Sequence, residues 1–240
     1  MSDYEKYYKA SLYPLQNGVL SLVKKSRTPF FLAGGTALSR FYFKHRYSDD
    51  LDFFVANDPE YSKHVQTLLS RLSQPNSDLQ MLLKLENISI GESFTRAVIF
   101  DESQDNVQLQ LDFINDVAKH YGGFKQHPTA GKIDSWQNIL SNKLTALFRS
   151  EPKDVVDIWV IACHKSFQWQ QIILEAKSKE AGIEPELIYE ILRSFPADLL
   201  KTIKWINSPD EAKIMADIET IADDILYGRD NSLGYKTDRY

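Results

Sequence analysis

The spacing of apolar residues changes once along this chain, near Gly131, and that change limits the folds it can adopt. Before this point, short apolar runs typical of strands alternate with helical spacing, whereas from Ile133 onward every apolar segment has helical spacing. A chain of 240 residues is long enough for one large domain or two small ones. We therefore predict an α+β protein, with a mixed β-sheet flanked by helices over residues 1–131 and a helical bundle over residues 132–240.

Periodicity and turn residues place the individual elements. An amphipathic helix is expected over Tyr4–Lys25, bent by Pro14. The strand candidates are Phe30–Ala33, Leu51–Ala56, Leu79–Ser89, Phe94–Phe100 and Val107–Ile114, the last two joined by a polar connection over Asp101–Asn106. The other helix candidates are Thr36–His45, Pro59–Leu72, Trp136–Phe148, Lys153–Cys163, Trp169–Ala181, Glu186–Phe195 and Pro209–Tyr227.

Composition excludes several classes of protein. The formal net charge of -5 argues against a general nucleic-acid coat protein, which needs many Lys and Arg residues to neutralise phosphates. The single cysteine, Cys163, excludes an intrachain disulfide and a multi-cysteine zinc site, and the five histidines lack metal-ligand spacing. The polar segment Met1–Lys9 does not resemble a signal peptide, and no apolar run is long enough to cross a membrane. A cytoplasmic protein without a membrane partner is expected.

Three aspartates are predicted to meet on one face of the sheet. Asp50 and Asp52 are two residues apart at the strand Leu51–Ala56, and the period of two along a strand turns both carboxylates to the same side. In the segment Val107–Phe113 the odd positions are apolar and the even positions polar, which turns Asp112 away from the core. The three carboxylates are therefore candidates for one site.

The chemistry of three adjacent carboxylates favours a metal. They repel one another unless cations neutralise them, and hard oxygen ligands select Mg²⁺ or Mn²⁺. We expect Asp50, Asp52 and Asp112 to bind such ions. Two ions about 4 Å apart would activate an attacking hydroxyl and hold a triphosphate during in-line displacement at its α-phosphorus. With pyrophosphate as the leaving group, this reaction transfers a nucleotide.

The Gly34-Gly35-Thr36 turn is a candidate phosphate site. It follows a short apolar strand and begins a helix, so its backbone lets a phosphate approach while the helix N–H groups and dipole favour an anion. The Thr36 hydroxyl is expected to act as a further donor. The alternative interpretation is a tight turn that lets a helix pack against a strand.

Two sequence blocks carry a family resemblance. The first block is Phe30–Leu38 followed by Ser48–Phe53, and the second is Asn142–Ala146, Arg149, Lys153-Asp154 and Asp157. Together they resemble the AbiEii/AbiGii-type toxin family of nucleotidyltransferases, within the polymerase β-like superfamily. The resemblance extends over about Phe30–Cys163.

This resemblance implies a nucleotidyltransferase-like first domain and a helical domain that contributes to the active site. It implies that Asp50 and Asp52 ligate metal, that Lys143 steadies the triphosphate together with Arg149, and that Asp154 or Asp157 is a further active-site acid. It implies an NTP substrate, an RNA (for example tRNA) or protein acceptor, and an antitoxin partner.

Other interpretations remain open at this stage. The spacing of Lys143, Arg149, Lys153 and Asp157 also fits a salt-bridged helix surface. A nucleotidyltransferase that modifies a small molecule such as an antibiotic and a catalytically inactive nucleotide-binding module are the competing functions. If RNA is the acceptor, basic residues are expected to line its approach, namely Arg40, Lys44, Arg46, Lys143, Arg149 and Lys153.

Overall fold

A computed structural model gives the fold and describes residues 3–74, 83–101 and 107–234. The chain forms two compact units, and each consists of several segments. The first unit comprises Met1–Arg40, Tyr47–Ala118 and Gly123–Asp134. The second comprises Phe41–Arg46, Lys119–Gly122 and Ser135–Tyr240. Within the described residues, every helix is too short or too polar to span a membrane.

The first unit contains a seven-stranded mixed sheet with the strand order β3-β4-β5-β2-β1-β7-β6. Its strands are β1 (Phe31–Ala33), β2 (Leu51–Ala56), β3 (Leu83–Ile90), β4 (Phe94–Asp101), β5 (Gln108–Asp116), β6 (Lys125–His127) and β7 (Gly131–Ile133). The pairs β2–β5 and β1–β7 are parallel, and the remaining pairs are antiparallel. The mixed sheet predicted from sequence is therefore confirmed.

The core of this sheet follows the alternation in the sequence. In β5, the apolar Leu109, Leu111 and Phe113 have 0% exposure, as the predicted period of two requires. In β2, Leu51 and Phe53 are also buried, at 0% and 1% exposure. The polar positions between these residues therefore lie on the opposite face, where the site is built.

Helices α1 (Asp3–Tyr7) and α2 (Tyr13–Ser26) are joined by a π-helical turn over Tyr8–Leu12. Pro14 lies at the start of α2. Because proline lacks an N–H group and its ring clashes with the preceding helical turn, it favours local widening there. The bend predicted at Pro14 thus takes the form of a π-turn in otherwise continuous helix.

Two further helices belong wholly to the first unit, α3 (Gly34–Leu38) and α4 (Tyr61–Leu72). α3 begins directly after β1, so the predicted strand, turn and helix are present. A second π-helical turn, Ser39–Phe43, continues α3. In α4, the buried Tyr61 donates a hydrogen bond to the Phe113 carbonyl at 2.9 Å and thereby attaches the helix to β5.

The second unit is helical. It contains α5 (Trp136–Ala146), α6 (Pro152–His164), α7 (Trp169–Lys179), α8 (Pro185–Arg193) and α9 (Glu211–Leu226). Its helix starts follow known capping chemistry: Ser135 accepts a hydrogen bond from the Asn138 N–H at the start of α5, and Asp210 does the same for α9. α6 and α8 begin with a proline, whose missing N–H costs nothing at that position.

Some expectations differ from the structure or lie outside it. The sequence reading missed the β6–β7 hairpin, because three-residue strands are too short to show a period. It also missed the 3₁₀ turn over Ala197–Thr202. Residues 79–82 of the predicted third strand and 102–106 of the predicted connection lie outside the described residues. The domain division at residue 131 remains a proposal; β7 continues the first unit to Asp134, and residues 41–46 belong to the second.

Candidate active site

The central feature of the first unit is a row of charged side chains across three neighbouring strands. Asp52 on β2 is the register partner of Asp112 on β5, and Asp112 is the register partner of Arg96 on β4. Register partners point to the same face of a sheet. Asp50, two residues before Asp52, extends the row in the direction of the strand. The structure therefore brings Asp52 and Asp112 to one face, and Asp50, one residue before β2, is close enough for its charge to act on Arg96.

Arg96 binds the Asp112 carboxylate through two nitrogens of its guanidinium. Its Nε donates to Asp112 Oδ1 and its Nη2 to Asp112 Oδ2, each at 2.7 Å. Gln110 adds a longer hydrogen bond to Oδ2 at 3.2 Å. The hydrogen bond to Asp112 is the main cause that raises the pKa of Arg96, and the charges of Asp50 and Asp52 act in the same direction. Arg96 is thus a fixed cation in an acidic row.

Gly34 makes the closest approach to this row. Its φ is +67°, in the left-handed region, and a β-carbon there would overlap Asp52 Oδ2 and lie 3.0 Å from Asp52 Cγ. Only glycine meets both constraints without strain. The first of the two predicted glycines therefore has a steric reason to be present, whereas phosphate binding at this turn stays a prediction.

The Thr36 hydroxyl is used within the protein. It is 1% exposed, donates to the Asp50 carbonyl oxygen at 2.5 Å and lies 2.8 Å from the Ser48 hydroxyl. Its single proton is therefore committed to holding the segment that carries Asp50. The predicted role of the Gly34-Gly35-Thr36 turn in phosphate binding then rests on its backbone N–H groups, and it stays a prediction.

The N-terminal helix holds the same segment from another side. Gln16 of α2 is fully buried and donates to the carbonyl oxygens of Ser48 and Asp49 at 3.1 and 3.0 Å. Tyr8 donates a short hydrogen bond to the Asp49 carboxylate and stacks on Tyr47, with 4.3 Å between ring centroids. Burial, followed by the Asp49 carboxylate, strongly raises the pKa of Tyr8, so the phenol stays protonated and keeps donating.

The second unit contains a buried charge cluster centred on Asp157 of α6. Asp157 is 0% exposed and accepts hydrogen bonds from Arg46 Nε and Nη2 at 2.8 and 2.7 Å and from His45 Nε2 at 2.8 Å. Burial would raise the pKa of Asp157, but Arg46 and then Lys143 hold it well below its usual value. Burial lowers the pKa of His45, which favours the neutral ring donating through Nε2.

Lys143 of α5 completes this cluster. Its ammonium lies 2.6 Å from Asp154 Oδ1 and 2.8 Å from Asp157 Oδ2. Burial opposes the charge, but Asp157 and Asp154 raise the pKa of Lys143, so the lysine stays protonated. The largely exposed Arg149 reaches Asp154 at the longer distance of 3.5 Å.

The structure therefore places the ten predicted site residues in two groups. The first unit contains Gly34, Gly35, Thr36, Asp50, Asp52 and Asp112, and the second contains Lys143, Arg149, Asp154 and Asp157. The alternative of a salt-bridged helix surface is wrong for Lys143 and Asp157, because their ion pair is buried. The catalytic roles of the second group, and a contribution of the helical domain to the active site, stay predictions.

The expected basic approach for RNA needs correction at two positions. Arg46 is 5% exposed and Lys143 is 8% exposed, and both are bound to carboxylates. Buried carboxylates neutralise both charges, so neither residue can contribute to a basic surface. The sequence does not show this, because the partner Asp157 is more than 100 positions from Arg46.

The aspartate row fits a divalent ion in part. Two carboxylates together with substrate phosphates are a usual ligand set for Mg²⁺, and Asp50 and Asp52 supply such a pair. Within the described residues, which include all three aspartates, no group of three His, Cys, Asp or Glu is arranged to hold a metal ion. The predicted three-carboxylate ligand set stays a prediction, and Arg96 occupies one acceptor position on each oxygen of Asp112.

Sequence reasoning missed two participants in these groups. Arg96 was not identified, because only the register between β4 and β5 puts it opposite Asp112. The strand itself gave little signal, because the side of β4 that carries Arg96 also carries the apolar Phe94, Val98 and Phe100. His45 was assigned no role because the histidines lack metal-ligand spacing, and its buried side chain is hydrogen-bonded to Asp157.

The buried cluster predicts that Asp157→Asn destabilises the protein. Removing one member of a buried ion pair leaves the charge of Arg46 or Lys143 uncompensated, which costs about 3–5 kcal/mol. Because the folded-state pKa of Asp157 is lowered, its contribution is present above the ordinary value of 3.8 and is lost as the pH falls below it. The difference from wild type should therefore be equal at neutral pH and at about pH 5, and shrink at lower pH.

Urea denaturation followed by tryptophan fluorescence measures this effect. The matched control is Asp198→Asn, which removes an exposed carboxylate paired with Lys201 and should change stability little. Equal stability of the Asp157→Asn and Asp198→Asn proteins would contradict the structural role of the cluster.

Comparison with solved structures supports the fold. A Helicobacter pylori protein, JHP933, aligns with a TM-score of 0.60 at 19% identity, over 99% of this chain and 97% of that protein. MenT4, a nucleotidyltransferase toxin from Mycobacterium tuberculosis, aligns with a TM-score of 0.60 at 13% identity, over 92% of this chain and 85% of that protein. At these identities the likeness establishes the fold.

The sequence itself establishes the family. No curated protein sequence matches the chain. The profile of the family described as nucleotidyl transferase AbiEii toxin, type IV TA system, matches residues 22–233 and thus most of the chain. This match confirms the resemblance predicted from the two sequence blocks: the chain belongs to the AbiEii family of nucleotidyltransferase toxins.

Proposed function

We propose that this nucleotidyltransferase moves a nucleoside monophosphate from an NTP to an acceptor hydroxyl at the Asp50, Asp52 and Asp112 face, with Mg²⁺ or Mn²⁺. The observation that carries the proposal is the register of the sheet, which sets Asp52 beside Asp112 and against Gly34. A carboxylate face next to a side-chain-free turn accommodates a cation and a polyphosphate together. The register of Asp52 with Asp112 is not explained by sheet stability, because like charges directly opposite each other destabilise a sheet.

The protein's own residues would act mainly by positioning. Asp50 and Asp52 would hold the divalent ion, which when bound supplies charge neutralisation at the triphosphate. The Gly34-Gly35-Thr36 turn would receive the β- and γ-phosphates through its backbone N–H groups. The acceptor oxygen would attack the α-phosphorus, the bond to the bridging oxygen would break, and pyrophosphate would leave with the bonding electrons. The acceptor's proton would pass to solvent across the acidic face.

The supports around the row favour a preorganised site. Thr36 and Gln16 bind the backbone that carries Asp50, while Gly34 leaves room for the Asp52 carboxylate. A site held in place by buried hydrogen bonds loses little free energy to rearrangement during reaction. This is the physical argument for an active rather than a degenerate member of the family.

The second group of residues has a more indirect role in this proposal. Lys143 is predicted to steady the triphosphate with Arg149, and Asp154 or Asp157 to act as a further acid. The two short ion pairs of Lys143 favour a role in holding α5 and α6 together. A direct contact with phosphate would require Lys143 to leave these carboxylates.

The partners follow from the family and stay proposals in their finer detail. Membership of a type IV toxin–antitoxin family implies an NTP substrate and an antitoxin. We propose RNA, tRNA first, as the acceptor to be tested, with a protein acceptor as the other outcome. A cytoplasmic location remains part of the proposal.

We predict that Asp52→Asn abolishes nucleotide transfer. The substitution keeps the size of the side chain and removes one carboxylate charge from the proposed metal site. The measurement is incubation with Mg²⁺, each α-labelled NTP in turn and total tRNA or cell protein, followed by gel electrophoresis.

Glu92→Gln is the matched control, because it removes an exposed carboxylate in the same unit, at the turn between β3 and β4. Label carried by the wild type and the Glu92→Gln protein but not by Asp52→Asn would support the site. Undiminished transfer by Asp52→Asn would show that the site is wrongly assigned.

We also predict that Gly34→Ala lowers the transfer rate by about 100-fold, the usual scale for a catalytic group displaced by about 1 Å. The added methyl group would overlap the Asp52 carboxylate and force a strained backbone. Gly123→Ala is the control, because a β-carbon there meets no atom within 4 Å. Thermal unfolding of both variants separates loss of rate from loss of fold, and a folded Gly34→Ala protein with the wild-type rate would refute the close-approach argument.

A further inference from the structure

Arg96 belongs to the charged row, but the proposed reaction gives it no role. It lies on β4, beside Asp112 and one strand beyond the pair β2–β5. Its side chain is 45% exposed and that of Asp112 is 10% exposed. An exposed ion pair adds little to stability unless its geometry is bidentate, and this pair is bidentate. The two hydrogen bonds therefore fix the Arg96 guanidinium on the Asp112 carboxylate, although Arg96 is partly exposed.

The pair changes what Asp112 can bind. A carboxylate offers about four acceptor positions on two oxygens. Arg96 takes one position on each oxygen, and Gln110 takes a further one on Oδ2. Charge-assisted bidentate bonds are also roughly twice as strong as neutral hydrogen bonds. A divalent ion at Asp112 would have to displace these donors or bind beside a fixed positive charge.

We infer that Arg96 replaces a second metal ion, so that the site binds one divalent ion per nucleotide, at Asp50 and Asp52. This inference rests on the proposed function and departs from the two-ion arrangement that the sequence predicts. The guanidinium neutralises Asp112 in every molecule, independently of metal concentration. Because Arg96 balances the charge of Asp112, an added divalent ion has to serve only the other two aspartates, Asp50 and Asp52.

Removal of the guanidinium should therefore create a second ion site. In Arg96→Gln, Asp112 regains its acceptor positions and lies in register with Asp52, which is the arrangement expected for a shared pair of ions. Adding Asp112→Asn to this variant should abolish the second ion again. Arg71→Gln is the matched control, because it removes an exposed arginine of α4 in the same unit.

Equilibrium dialysis counts the ions directly. The protein is dialysed against Mn²⁺ and each of the α,β-methylene ribonucleoside triphosphates in turn, which cannot be cleaved at the reacting bond. The excess of Mn²⁺ and of nucleotide in the protein compartment gives the ratio of bound ion to bound nucleotide. Circular dichroism verifies the fold of each variant, and Arg96→Met serves as a second substitution if Arg96→Gln does not fold.

The expected ratio is one for the wild type, one for Arg71→Gln, two for Arg96→Gln and one for the double variant. A wild-type ratio of two would overturn the inference and leave the proposed function standing. A ratio of one in Arg96→Gln would overturn it as well, because Asp112 would then not be the blocked ligand. Absence of both bound nucleotide and bound Mn²⁺ in the wild type would instead contradict the proposed function itself.

Discussion

The register between β2 and β5 sets two carboxylates side by side, and the rest of the site depends on how their repulsion is relieved. Asp52 and Asp112 cannot separate without breaking a parallel strand pair, because their side chains are fixed to one face. One source of relief is built in, since Arg96 binds Asp112 from the next strand. In the proposed reaction, a cation that accompanies the polyphosphate relieves the rest of the repulsion.

Several contacts within the first unit hold this row of charged residues in place. Gly34 adopts a left-handed conformation that leaves space for Asp52, and Thr36 and Gln16 bind the backbone just before β2. Tyr8, on the π-turn that precedes Pro14, reaches the neighbouring Asp49. The N-terminal helix is thus more than a cover for the sheet. It fixes the segment that carries the first two aspartates.

The sequence predicted those features that depend on local periodicity. Asp52 and Asp112 share a face because strands have a period of two, and the alternation in each strand shows this. The contribution of Arg96 depends on register between strands, and the cluster of Asp157 with Arg46 depends on contact between residues more than 100 positions apart. Neither relation has a local signature, so the sequence reading took Arg46 for a surface residue. The β6–β7 hairpin was missed because its strands are too short to alternate visibly.

A crystal structure with Mn²⁺ and an α,β-methylene nucleotide would test the central claim most directly, because anomalous scattering locates each manganese ion. The account predicts one strong peak at the carboxylates of Asp50 and Asp52, next to the triphosphate, with Arg96 still bound to Asp112. A peak ligated by Asp112 with Arg96 displaced would contradict the role given to the arginine. A nucleotide and metal bound away from Asp50 and Asp52 would contradict the account as a whole.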